Sequence, residues 1–299
     1  VSSERLRRSP ALLIGLVVAL LVAGCSSDDG DRRADESQPP TSSAADAGLA
    51  ARVPDSIRGS GKLTVGTSAP YEPMVGRDAS GTLTGFDVDV LRRVSEVLGL
   101  RLDLRQTRFE QILPGVIDGT YDVGSRGFFD TLARQKSVDM VTYFRGGTRW
   151  AQRSGETVDP NNACGRTVAA AEGTVQRTVE LPAKSKACET VGDKPIKIVA
   201  APTQEDAVRA VTRGSAEALS ADSVVIATAV GRARGTLETA GDVFDTQPYG
   251  FAIAKGSELS EVLRVAIQHV IDRGDLTSIA HKWNLDGMIK TSTVNGAII

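Results

Sequence analysis

The chain has 299 residues and a formal net charge of −2, so it lacks the basic excess that nucleic-acid binding requires. Hydrophobic residues make up 41% and charged residues 24%, enough for one large or two small globular domains. Three cysteines and two histidines are thin material for a metal centre, and none is expected.

Residues 1–25 read as a leader. Arg5, Arg7 and Arg8 precede an apolar run from Ala11 to Val22, shorter than the ~20 residues a membrane span needs but fitting for a secretory segment. It ends in Leu21-Val22-Ala23-Gly24-Cys25, which resembles a bacterial lipobox. That resemblance implies a diacylglyceryl group on Cys25, which becomes the mature N-terminus. Residues 26–56, rich in Ser, Asp, Ala and Pro, are too polar to offset their ordering entropy and read as a flexible tether. Cleavage removes the three arginines with Glu4, leaving a more acidic remainder. No later stretch approaches ~18 consecutive apolar residues. With Cys25 assigned to the lipid, Cys164 and Cys188 are expected to form a disulfide in an oxidising compartment. Its loop of about 25 residues would stabilise by roughly 3 kcal/mol. A free thiol pair or a metal site is the weaker alternative.

Beyond the tether, strand and helix patterns alternate. Lys62–Thr67 alternates as a strand, and Asp87 opens a helix with Val90, Leu91, Val94 and Leu98 on one face, ended by Gly99. Arg101–Gln106 is a second strand, Phe109–Asp118 an amphipathic helix stopped by Gly119, and Tyr121–Val123 a short strand. A second unit begins at Arg166–Ala170 with a strand that leads through Gly173-Thr174 into a helix. Ile196–Ala200, Gln204–Thr212, Ala218–Ser220 and a helix from Asp222 through Val230 continue the alternation, and Gln247–Ala254 is an alternating segment. Two helical patterns close the chain, one through Leu259, Leu263, Ala266 and Val270, the other through Leu276, Ile279, Ala280 and Trp283. This order predicts an α/β protein of two similar lobes, each a mostly parallel sheet flanked by helices. Residues 57–148 and 246–299 are assigned to lobe 1 and 149–245 to lobe 2. The crossings are placed at Tyr143–Ser154 and Asp245–Tyr249. No role is assigned to the tail from Gly287 to Ile299.

The order of motifs resembles the polar-amino-acid branch of bacterial extracellular solute-binding proteins, family 3, from about Gly61 to Asp286. The pieces are Gly61–Thr67 followed by Tyr71-Glu72-Pro73, then Gly85–Asp89, Phe109–Asp122, Asp130–Arg134 and Val138-Asp139. Gly173-Thr174, Gly214–Asp222, Pro248-Tyr249-Gly250 and Lys282-Trp283 complete the set. The resemblance implies a two-lobed, periplasmic-binding-protein-like fold of type II. It implies a monomer that closes around an amino acid and hands it to the permease of an ATP-binding-cassette importer.

The resemblance also assigns a ligand set. Arg134 matches the carboxylate-binding arginine, whose planar fork suits bidentate pairing. Asp222 matches the acid that receives the ammonium, and Thr174 the hydroxyl and N–H at a helix start. Tyr71 and Phe109 match the two aromatics that flank the ligand, and Gly127 lies in the same ligand-facing run. Two positions depart from the pattern. Phe129 stands where a Ser or Thr often donates to the carboxylate, leaving only its backbone N–H. Arg126 replaces a small residue near the ligand's side-chain end; turned inward it favours an acidic ligand, and turned outward it is a surface charge. A sensory module for a signalling partner, or a dehydratase-like enzyme on the same fold, would share most of these features. No cofactor and no catalytic residue is expected.

Overall fold

The computed structural model describes residues 45–297; the leader, Cys25 and the expected tether up to residue 44 lie outside the described residues. The tether stops short of its expected boundary. Helix α1 (Ala47–Ala50) is capped by Asp46, whose carboxylate accepts the Leu49 N–H at 3.0 Å. Helix α2 (Asp55–Ser60) follows. Leu49, Val53 and Ile57 are buried in the main core, and this burial orders a segment whose composition alone looks unstructured.

Strand β1 (Lys62–Thr67) buries Leu63 and Val65 completely. A small hairpin, β2 (Gly76–Arg77) with β3 (Leu83–Thr84), leads to helix α3 (Phe86–Val97). Strand β4 (Arg101–Gln106), helix α4 (Phe109–Ile117) and strand β5 (Val123–Ser125) complete the first βαβαβ run. β4 forms one edge of the sheet, and its Arg101, Asp103 and Arg105 discourage edge-to-edge pairing. After helix α5 (Leu132–Gln135), strand β6 (Val138–Arg153) runs without a break out of lobe 1.

Lobe 2 comprises β7 (Thr167–Ala171), a π-turn over Gln176–Glu180 continuing as α6 (Leu181–Thr190), then β8 (Lys197–Ala201) and α7 (Gln204–Thr212). Strand β9 (Ala218–Asp222) and helix α8 (Ser223–Arg232) follow, and β10 (Leu237–Ala254) returns to lobe 1. Helices α9 (Glu258–Asp272) and α10 (Asp275–Lys282) pack there. The Cys164–Cys188 disulfide is formed.

The eight strands form one sheet in the order β4-β1-β5-β10-β6-β9-β7-β8. Parallel groups at both ends, β4-β1-β5 and β9-β7-β8, flank a central antiparallel pair of β6 and β10. The expected crossings fall on or beside that pair, and the two parallel groups are joined by two long adjacent strands rather than by loops. Its register shifts between Ala240 and Phe244 and again between Phe244 and Gln247, the signature of bulges that bend a ribbon. Gly146-Gly147 faces this bend. A Cβ on Gly147 would lie 2.7 Å from the Phe244 carbonyl oxygen, and one on Gly146 2.8 Å from the Tyr249 hydroxyl.

The tail has a structural role. The Arg145 N–H donates to the Gly287 carbonyl, the Asn295 N–H to that of Met140, and the Ala297 N–H to Asp130 Oδ2 at 3.0 Å. Lys282 and Trp283 pack on lobe 1, both donating to Asp89 Oδ2 on α3, at 2.7 and 2.9 Å. Among the described residues no helix is long and apolar enough to cross a membrane.

Candidate functional site

The carboxyl ends of β1 and β5 in lobe 1 face those of β7 and β9 in lobe 2, which is where open parallel sheets place ligands. The six residues that match the resemblance's ligand set, with the two that depart from it, Arg126 and Phe129, line one cavity here. Tyr71 follows β1 and Phe109 begins α4. Arg126, Gly127 and Phe129 come from the turn after β5, and Arg134 from α5. Lobe 2 supplies Thr174 after β7 and Asp222 at the end of β9.

The turn carrying Arg126 is fixed from beneath. Asp87, fully buried at the start of α3, accepts Ser125 Oγ and the Gly127 N–H on Oδ2, both at 2.8 Å, and the Tyr143 hydroxyl on Oδ1 at 2.5 Å. Burial pushes this carboxyl up to about 6 against those three hydrogen bonds. Gly127 has φ +58°, and a Cβ there would meet Met74 at 3.1 Å and Tyr71 at 3.2 Å, so a larger residue is both strained and crowded.

Arg126 points inward and is 6% exposed. Its guanidinium carbon lies 3.8 Å from the Tyr71 ring centroid and 4.2 Å from that of Phe109. Phe109 in turn stacks on Phe128, over which the Arg134 guanidinium sits at 4.9 Å. Two cations therefore lie at intervals along a short aromatic stack. Arg134 Nη1 donates to the Phe129 carbonyl at 2.7 Å, and burial pushes its guanidinium down to about 10. Among the described residues neither arginine has a carboxylate within 4 Å, and Arg126 Nε is buried without a hydrogen-bond partner.

Asp222 faces them from lobe 2. It occupies the cap position of α8, but its side chain makes no cap hydrogen bond. Oδ2 instead accepts the Tyr71 hydroxyl across the cleft at 2.6 Å, and Oδ1 accepts Gln176 Nε2 at 2.9 Å. Burial raises its carboxyl, opposed by the hydrogen bonds from Tyr71 and Gln176. Gln176 also donates to Thr148 Oγ1 on β6, tying the acid to the crossing strand. The Thr174 hydroxyl is used locally, donating to the Ala171 carbonyl at 2.6 Å and capping the Arg177 N–H. It lines the cavity as a helix cap rather than as a free donor.

The sequence did not mark Phe128, Val175 or Gln176 as ligand-facing, yet they also line the cavity. A glutamine two residues after Gly173-Thr174 carries no signal of its own; the π-turn sets its direction. The cavity is narrow, about 10 Å³, close to the room of one water. A wider groove of about 370 Å³ opens between Pro70–Glu72 and helices α7 and α8. Its charged groups are paired at the rim, Arg232 with Glu72 at 3.2 Å and Arg209 with Asp206. The unpaired charges belong to the narrow cavity, which is therefore the candidate site.

The model of bacterial extracellular solute-binding proteins, family 3, matches residues 63–286. The chain belongs to this family. Arginine-binding protein ArgT of Corynebacterium glutamicum is 36% identical over 83% of this chain and 82% of its own length. An ancestral arginine-binding protein bound to arginine has a TM-score of 0.68 and 26% identity, covering 75% of this chain and 98% of that structure. A shorter match, 33% identical over 31% of this chain and 35% of the relative, is to cyclohexadienyl dehydratase of Pseudomonas aeruginosa. The chain is therefore similar to binding proteins over most of its length and to one enzyme over about a third of it.

Proposed function

We propose that this family 3 protein is the substrate-binding lipoprotein of an ATP-binding-cassette importer, capturing a polar amino acid with an acidic side chain. The observation that carries the reading is the placement of Arg126 and Arg134 of lobe 1 opposite Asp222 of lobe 2 in one cavity. An α-amino acid would give its carboxylate to Arg134 and the Phe129 N–H, and its ammonium to Asp222. An acidic side chain then meets Arg126. A cationic side chain, such as the ligand named for the Corynebacterium relative, would meet that guanidinium head-on.

Charge-assisted hydrogen bonds contribute about 1.5–3 kcal/mol each. Three or four, less the cost of immobilising the solute, reach the roughly −8 kcal/mol of micromolar binding. The ligand bridges lobes joined by the β6–β10 ribbon, so it stabilises the closed form selectively. Lobe 1, comprising 57–148 and 246–299, and lobe 2, comprising 149–245, would rotate about that ribbon. The protein would act as a monomer on the outer face of the membrane, held by lipid on Cys25 after leader cleavage, and would deliver the ligand to a permease. A binding role is favoured over catalysis because the cavity's acid is already engaged by Tyr71 and Gln176.

Isothermal titration with acidic, neutral and cationic amino acids tests this. Micromolar binding of aspartate or glutamate is expected, weakened about 100-fold (~3 kcal/mol) by Arg134→Ala or Asp222→Ala, with the ligand recovered unchanged by mass spectrometry. Absence of binding by every α-amino acid would overturn the reading, and chemical conversion of the ligand would replace it with an enzymatic one.

A further inference from the structure

We infer that Arg126 is a tethered occupant of a cation slot between Tyr71 and Phe109, and that its removal turns the pocket into one that accepts a guanidinium from the ligand. The part of this inference that concerns anionic ligands rests on the proposed function; the slot itself does not.

A guanidinium has two kinds of surface. Its flat faces are weakly hydrated and stack on aromatic rings, whereas its N–H groups radiate in the plane and seek anions. Both Tyr71 and Phe109 lie over the Arg126 guanidinium, at 3.8 and 4.2 Å. Among the described residues its Nε finds no partner and no carboxylate stands within 4 Å. A buried cation unpaired by its own protein is costly. The arrangement becomes favourable when an anion enters at the edge. Arg126 thus fills the space over both rings while presenting its charge to the cavity.

The slot does not depend on Arg126 for its shape. Tyr71 is held by its hydroxyl on Asp222 and by paired backbone hydrogen bonds with Val75. Phe109 is braced by Phe128 at 5.3 Å and lies beside Gly173, whose added Cβ would touch it at 3.0 Å. The turn beneath Arg126 is fixed by Asp87 through Ser125 and Gly127. None of these contacts involves the Arg126 side chain, so truncating it leaves both rings in place and vacates the space its guanidinium held over them. The Arg126 guanidinium already occupies the space over both rings, so a ligand's cationic group cannot enter the slot while Arg126 fills it.

The experiment compares the wild-type chain with Arg126→Ala and Arg126→Gln, the second guarding against loss of fold in the first. Titrations use glutamate, aspartate, glutamine and arginine, with and without millimolar guanidinium chloride. Arg126→Ala is expected to bind arginine at least 10-fold more tightly than wild type and acidic amino acids at least 10-fold more weakly. Free guanidinium should partly restore acidic-ligand binding to Arg126→Ala and leave wild type unchanged, while Arg126→Gln should lose the acidic ligands without gaining arginine. An unchanged ratio of glutamate to arginine affinity in Arg126→Ala, with wild type binding glutamate, overturns the inference and leaves the proposed function standing. A gain of arginine binding in Arg126→Ala, with wild type binding no acidic amino acid, supports the slot and sinks the acidic-ligand reading alone.

Discussion

The two lobes reach similar architectures with different material. Lobe 1 is filled by large rings: Phe86, Phe144, Tyr143, Phe251 and Tyr249 are fully buried, and Tyr143 stacks on Phe251 with centroids 3.9 Å apart. Lobe 2 has one buried ring of that size, Trp150, among alanines such as Ala151, Ala169, Ala170, Ala207 and Ala218. Small side chains bury less apolar area per residue, so lobe 2 gains less from its core. It compensates covalently, with the Cys164–Cys188 disulfide tying α6 to the loop before β7. It also tolerates a buried acid, Glu180, held by Trp150 Nε1 at 3.1 Å and Ser220 Oγ at 2.7 Å. The same division reaches the site, where the aromatic lobe contributes cations stacked on rings and the alanine lobe contributes the acid.

Three measurements sharpen or break this contrast. Phe86→Ala should cost about 3–5 kcal/mol in urea unfolding, since it empties a ring-sized volume from a core already packed on Phe144 at 4.9 Å. A loss under ~1 kcal/mol would mean that lobe 1 does not depend on its rings. Replacing both Cys164 and Cys188 by serine should cost about 3 kcal/mol, with faster hydrogen exchange in β7, β8 and α6 and little change in β1 and β4. Equal loosening of both lobes would contradict a staple confined to lobe 2.

The smallest effect concerns pH. Burial pushes Glu180 up to about 7, above its ordinary value of 4.5. A raised acid favours the folded state most when protonated, so its contribution is fully present below pH 4.5 and fades as pH rises towards 7. Between pH 5 and pH 7 the wild type should lose about 2 kcal/mol relative to Glu180→Gln, which keeps both hydrogen bonds without the charge. Parallel stability curves for the two proteins would show that Glu180 ionises without cost.

The parts of the fold legible in sequence were those with one buried face. Strand β1 and helix α3 show their periods because solvent on one side keeps polar residues in the pattern. Strand β6 does not: nearly every residue from Val138 to Trp150 is buried, so no alternation survives, and Gly146-Gly147 reads as a break. The front of β10 fails for the opposite reason, since its bulges around Val243–Thr246 interrupt any period. Residues 45–56 mislead because alanine-rich composition says little until Leu49 and Val53 join the main core. At the site, the motif order pointed to the positions that line the cavity, six by matching the pattern and Arg126 and Phe129 by departing from it, but it did not give their directions. Whether Arg126 turns inward depends on Asp87, some forty residues earlier in the chain, and on the left-handed backbone of Gly127. Gln176 had no motif at all.

Both described ends of the chain are fastened to lobe 1. The N-terminal side is held by α1, with the Asp46 N–H on the Val97 carbonyl, and the C-terminal side by the tail laced along β6 to Asp130. Lobe 2 is in effect an insertion, hung from two neighbouring strands. Mechanical load applied at these described ends therefore passes through lobe 1, including the part of β6 to which the tail is laced, and does not cross into lobe 2. Tension on the chain ends neither pries the lobes apart nor presses them together, so the grip on a ligand is insulated from whatever pulls on them.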